Sequence, residues 1–206
     1  MDQSIARRAA IGVAVVIALI YIATVFVYTR IESWELADLG DTIGFTVWIV
    51  AFTVVGVIIA VHRPGNPVAW ICLGFSGAWS VWILLDGLLI YESVNPGALA
   101  RPDLIAALAY PLWVPGVGLI GFLLLLFPDG HLPSPRWRPV AWLLGGTIAI
   151  LGVTELFLPG VFQEWEYVNP LGIEALGSFR EGAPGVTLVL ILVLCILASA
   201  VSVVVR

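Results

Sequence analysis

Of the 206 residues, 61% are hydrophobic and only 11% charged, with a formal net charge of −5. A soluble domain is nearer half apolar and about a quarter charged, so a water-exposed globule of this composition would leave most of its surface greasy. Lipid is the expected solvent, which argues against an ordinary soluble enzyme and against a nucleic-acid partner.

Six stretches reach the roughly 20 mostly apolar residues that a bilayer crossing needs: about 9–28, 43–61, 68–91, 104–127, 140–158 and 185–205. Their connections are short and hold nearly all the charges, so the chain reads as one all-α, polytopic transmembrane domain. Arg7 and Arg8 give the first stretch the look of a signal peptide. Its apolar run is longer than a usual h-region and no small-x-small site precedes Tyr28, so it reads as a retained helix.

With the N-terminus in the cytoplasm, the inner side carries Arg7, Arg8, Arg63, Arg136, Arg138 and Arg206, and the outer side Arg30, Arg101 and Arg180. That distribution follows the positive-inside rule. Glu32, Glu35, Asp38, Asp41, Glu92, Asp103, Glu164, Glu166, Glu174 and Glu181 then form an acidic outer rim. Trp34, Trp70, Trp113, Trp142 and Trp165 fall near or beyond helix ends, where an indole suits the headgroup level. The expected location is the plasma membrane, multi-pass.

In the third segment Asp86 is the only carboxylate well inside a span, with Trp79 and Trp82 seven and four residues before it on the same helix face. An acid behind two indoles could line a pocket for a cation or an amphipathic ligand. A structural or interfacial role near the outer end outweighs that reading. The fourth segment contains Pro111, Pro115, Gly116, Gly118 and Gly121, a pattern for kinking and close helix packing ahead of a transport site. Glu155, near the outer end of the fifth segment, is a second candidate sensing residue weighed like Asp86. Cys72 and Cys195 read as small buried hydrophobes, and no metal or cofactor is expected.

Two turn sequences recur. Arg63-Pro64-Gly65-Asn66-Pro67-Val68-Ala69-Trp70 is answered by Pro135-Arg136-Trp137-Arg138-Pro139-Val140-Ala141-Trp142, with Pro-Val-Ala-Trp offset by 72 residues. Val94-Asn95-Pro96 is answered by Val168-Asn169-Pro170, offset by 74. Two helices separate the copies, so both enter the membrane from the same side as a parallel helical-hairpin repeat. By that pattern a third Arg-rich inner turn is due at Arg206, which makes the chain read as a fragment of a longer protein.

No P-loop, nucleophile elbow, metal-binding His pair or glycosidase-type carboxylate pair occurs. The expectation is a chain with no catalytic residues of its own.

The most distinctive stretch is the second inner loop, Phe127-Pro128-Asp129-Gly130-His131-Leu132-Pro133-Ser134-Pro135-Arg136-Trp137-Arg138-Pro139. It resembles the multi-helix N-terminal membrane region of actinobacterial sensor histidine kinases and related signalling proteins, as do the Asn66-Pro67 turn with Trp70 and the outer stretch 168–172. His131 departs from the Arg usual at its place in that family. The resemblance implies a sensory or anchoring module whose partners are the bilayer and a cytoplasmic output domain in the same parent chain, and it leaves room for a homodimer. The alternatives are a small transporter or permease component, or a structural membrane protein with no ligand.

Overall fold

In hydrocarbon the backbone has no water to bond, so each apolar run must close its own hydrogen bonds as helix. The computed structural model describes residues 3–31 and 36–204, and for 36–43, 180 and 181 the backbone alone. Glu32, Trp34, Glu35 and Arg206 lie outside the described residues, as do the side chains of Asp38, Asp41, Arg180 and Glu181.

Six helical spans long and apolar enough to cross a membrane occur among the described residues. They are built from α1 (Gln3–Tyr28), α2 (Leu36–His62), α3 (Pro67–Val94), α4 (Pro102–Ala109) with α5 (Trp113–Leu126), α6 (Arg138–Phe157) and α8 (Ala183–Val204). The protein is an all-helical, polytopic membrane protein. The helices overrun most expected boundaries: α1 takes in Arg7 and Arg8, and α3 starts at Pro67, with Asn66 as its cap. The Asn66 side chain accepts from the Val68 amide at 3.0 Å, and Pro67 at the first position needs no donor, a strong helix start.

The helix expected at 104–127, with Pro111 and Pro115 read as a kinking signal, carries a 3₁₀ turn at Tyr110–Leu112 within one span. Pro111 and Pro115 have no amide proton to give to the carbonyls one turn back, and the axis tightens there. The outer loop after α6 also holds structure that the sequence did not reveal. A two-strand hairpin pairs β1 (Val161–Phe162) with β2 (Tyr167–Val168), and a short helix, α7 (Gly177–Glu181), follows.

The helices pack as two groups of three. α1, α2 and α3 close around Ala10, Ile17, Ile49, Ala69, Leu73 and Ile83. Helices α5, α6 and α8 close around Val114, Leu144, Leu151, Leu192 and Cys195. The α3–α5 contact joins the groups, and α3 is the most buried span. The glycines of α5 make this possible. A Cβ on Gly116 would lie 2.9 Å from the Trp79 ring of α3, one on Gly121 2.8 Å from Leu144 of α6, and one on Gly118 would strike Ile148. The close packing expected of the fourth segment is thus met on two sides, Gly118 and Gly121 against α6 and Gly116 against α3.

The ends are distinct. Arg7 donates to the Val61 carbonyl at 2.8 Å, Asn66 reaches Pro128, and α6 begins at Arg138, so the N-terminus and both Arg/Pro turns share one end. α8 starts beside Leu158 and Phe179 and runs antiparallel to α6. Arg7, Arg8, Arg63, Arg136 and Arg138 therefore cluster at one end, opposite Arg30, Arg101 and the hairpin.

Candidate functional site

At the hairpin end a third packed cluster forms a cap. Leu89, Ala106, Ala107 and Phe162 are buried there under Tyr110, Trp165, Tyr167 and Leu171. Asp86 lies at its edge. The Trp165 indole donates to Asp86 Oδ1 at 2.9 Å and the Tyr28 hydroxyl to Oδ2 at 3.3 Å. One carboxylate thus ties the end of α1 and the hairpin loop to α3, as charge-assisted hydrogen bonds in a low-dielectric site can. The Tyr28 ring lies against Gly87, where a Cβ would come within 2.9 Å of it.

This geometry separates the candidate sensing residues. Trp79 and Trp82 touch edge-on at 5.7 Å, but Trp79 lines an apolar cavity of about 430 Å³ with Phe45, Trp48, Phe75, Val117 and Ile120, and Asp86 is not in its wall. A shared helix face does not produce a shared pocket here, because Asp86 is drawn to donors from α1 and the hairpin. Glu155 stands elsewhere, lining a cavity of about 300 Å³ with Thr154, Leu158, Phe179 and the first turns of α8.

Two residues of the acidic rim have different roles from the one expected. Glu92 is buried, and its two oxygens accept from the Gly97 and Leu99 amides at 2.7 and 2.6 Å, organising the turn after α3. Asp103 forms a two-pronged ion pair with Arg101 at 2.8 and 2.9 Å on the surface, which holds the Arg101 guanidinium above its usual pKa. Burial, and then the charge on Glu92, push the Tyr167 phenol up from its ordinary value. Two of the expected interfacial anchors are half-buried: Trp70 packs against the α1–α3 core and Trp113 against the α5–α8 core. Trp142, by contrast, is 81% exposed.

The repeated Asn-Pro turns share a device. Asn95 donates its amide to the Tyr91 carbonyl at 3.2 Å, and Asn169 donates to Leu156 and Leu158 at 3.0 and 2.8 Å. In both, an asparagine side chain donates to carbonyls at the end of the preceding long helix; the Tyr91 carbonyl also accepts from the Asn95 backbone amide at 2.9 Å. The Asn169 side-chain oxygen also accepts from Leu171, closing the turn around Pro170.

At the Arg-rich end the two inner turns interlock. The Asn66 amide donates to the Pro128 carbonyl at 3.2 Å, across a loop whose Phe127–Pro128 bond is cis. Gly130 has φ +76°, and a Cβ there would sit 2.5 Å from Asn66 Oδ1 and 2.6 Å from Pro67. The Asp129-Gly130 pair is therefore required by close approach as well as by turn conformation. His131 bonds the Asp129 carbonyl at 2.9 Å, Pro133 is half-buried, and Pro135, Arg136 and Arg138 are exposed around Trp137. Arg63 is exposed beside half-buried Pro64. From sequence Asn66 stood only in a recurring turn; its cap and its bond to Pro128 emerge from the structure.

No family model matches the chain, and no solved structure matches it. Among curated proteins it is similar to an inner membrane-spanning protein, YciB, of Chromobacterium violaceum. The two are 26% identical over 116 residues, which cover 52% of this chain and 59% of that relative. The chain thus matches less than two thirds of the relative's length. The six apolar spans and this likeness together identify an integral, multi-pass membrane protein.

Proposed function

We propose that the chain is the membrane-embedded input and anchoring module of a signalling protein, in which α3 couples its two docked ends. The observation that carries this reading is that one helix holds both locks. Asn66 at its start grips the Pro128 loop, and Asp86 near its finish grips Trp165 and Tyr28. At about 1.5 Å per residue, the 28 residues of α3 extend about 42 Å, enough to cross a bilayer without a break. A displacement of the hairpin cap would reach the inner loop through this rod. The packed groups on either side of it are the element that could take two arrangements.

The Arg-rich end faces the cytoplasm on this reading, with the N-terminus inside, because arginine is retained on that side. The relative's name as an inner membrane-spanning protein supports the same membrane. The resemblance of 127–139 to sensor-kinase membrane regions supports an output domain in the same parent chain as the partner of the inner loops.

A second reading, a structural membrane protein with no ligand, is favoured by the buried hydroxyls. Ser76, Ser80, Ser199 and Ser202 all bond carbonyls of their own helices, so they offer no polar path to a transported solute.

Thiol labelling tests the coupling. A cysteine placed at Ser134 reports on the inner loop, while Cys72 and Cys195 are buried. Coupling predicts a changed labelling rate when Trp165→Phe removes the hairpin's bond to Asp86. An unchanged rate would favour the structural reading.

A further inference from the structure

We propose that the groove between α1 and α3 at the hairpin end is a binding site for one anionic phospholipid, its headgroup held by Arg30. The cavity, about 270 Å³, is lined by Phe26, Val27, Arg30, Leu88, Tyr91 and Leu99. Five of the six are carbon-rich, and the one charge stands two residues beyond the last residue of α1, Tyr28. That is the level at which a phosphate layer meets the helix ends.

The guanidinium is held in place from one side only. Its central carbon lies 4.8 Å over the Phe26 ring, a cation–π contact that does not use the N–H donors, and the residue is exposed. Among the described residues Arg30 forms no ion pair, whereas Arg101, a neighbour at this end, is committed to Asp103. Among the described residues, the carboxylate of Glu92, next in sequence to Tyr91, accepts from the Gly97 and Leu99 amides. The lining therefore offers a planar cation, one phenol from Tyr91, and apolar surface from Phe26, Val27, Leu88 and Leu99. A diacyl lipid with net negative charge matches these three parts, and a free anion would leave the apolar surface uncovered. The inference depends on the chain spanning a bilayer and is independent of the signalling role proposed above.

Photo-crosslinking of the full chain tests it. A benzoylphenylalanine at Ala98, exposed on the turn beside the groove, is activated in vesicles of equal parts phosphatidylcholine and phosphatidylglycerol. The adducts are then identified by mass spectrometry. The expected enrichment of phosphatidylglycerol is about fivefold, the preference that one arginine at an anionic surface supports. Arg30→Gln should return the adducts to equal proportions, and Leu88→Trp, which fills the groove, should reduce both. Equal adducts in the parent protein would overturn the proposal, as would enrichment that survives Arg30→Gln or adducts unaffected by Leu88→Trp. Loss of the preference on adding inorganic phosphate would show a free-phosphate site instead.

Discussion

Trp165 donates its indole proton to Asp86 across 79 residues of sequence, and the same carboxylate receives the Tyr28 hydroxyl from 58 residues in the other direction. The hairpin cap and the end of α1 are thereby held to one point on α3. Replacing Trp165 with Phe keeps the ring but strips Asp86 of its shorter bond, a loss of about 1–3 kcal/mol for a buried polar group. Asp86→Ala should cost a similar amount. The double variant should lose less than the sum, because both changes break one interaction. Denaturation in a mild detergent gives the three values, and strict additivity would show that the two groups are not coupled.

At the opposite end, Gly130→Ala should destabilise by about 1–3 kcal/mol, since it forces a side chain into a left-handed conformation and against Asn66. Asn66→Ala should cost at least the roughly 1 kcal/mol of a lost helix cap. The same unfolding measurement ranks them. A neutral Gly130→Ala would mean that the inner turns do not interlock.

Close packing within α5 predicts a graded response. Gly118→Val and Gly121→Val should each cost about 1–3 kcal/mol through overpacking against Ile148 and Leu144. Gly146→Val on α6, where no atom lies within 4 Å of an added Cβ, serves as the control and should avoid that overpacking penalty. Thermal unfolding of the three variants separates the cases.

Charge reversal tests orientation. On the proposed orientation, Arg136→Glu together with Arg138→Glu removes two of the arginines that keep the 127–139 loop on the cytoplasmic side. A cysteine at Ser134 should then become reactive to an impermeant thiol reagent from the opposite face in a fraction of molecules. Labelling confined to the original face would remove these two residues from the account of topology.

The cap should also show an alkaline limit. Burial and the Glu92 charge raise the Tyr167 pKa above its ordinary 10.0, so the folded state holds that proton more tightly than the unfolded chain does. The contribution is complete below about pH 10 and is lost as pH rises through the higher folded value. Tyr167→Phe should flatten the alkaline limb of a stability–pH profile. An unchanged limb would assign it to other groups.

Much of the helical plan was legible because it depends on local pattern: apolar length marks the spans, and Pro111 and Pro115 mark the kink. The candidate site was legible only as parts. Asp86 stood out as a carboxylate inside a span, but its partners come from α1 and from a loop two helices away. The i, i+3, i+7 spacing of Trp79, Trp82 and Asp86 therefore did not reveal the carboxylate's hydrogen-bond partners. Glu92 looked like surface charge because its value lies in two backbone amides of a turn, which carry no residue-type signal. The half-burial of Trp70 and Trp113 was not legible because the cores they touch are assembled from several helices.

The central claim, that α3 couples the hairpin cap to the inner loop, is tested most directly by amide hydrogen exchange across 127–138 in the parent and in Trp165→Phe. The Gly130 amide, bonded to the Leu126 carbonyl at 2.7 Å, is the informative probe. Coupling predicts faster exchange at Gly130 and its neighbours as well as in the hairpin. Faster exchange confined to the hairpin, with 127–138 unchanged, would contradict it.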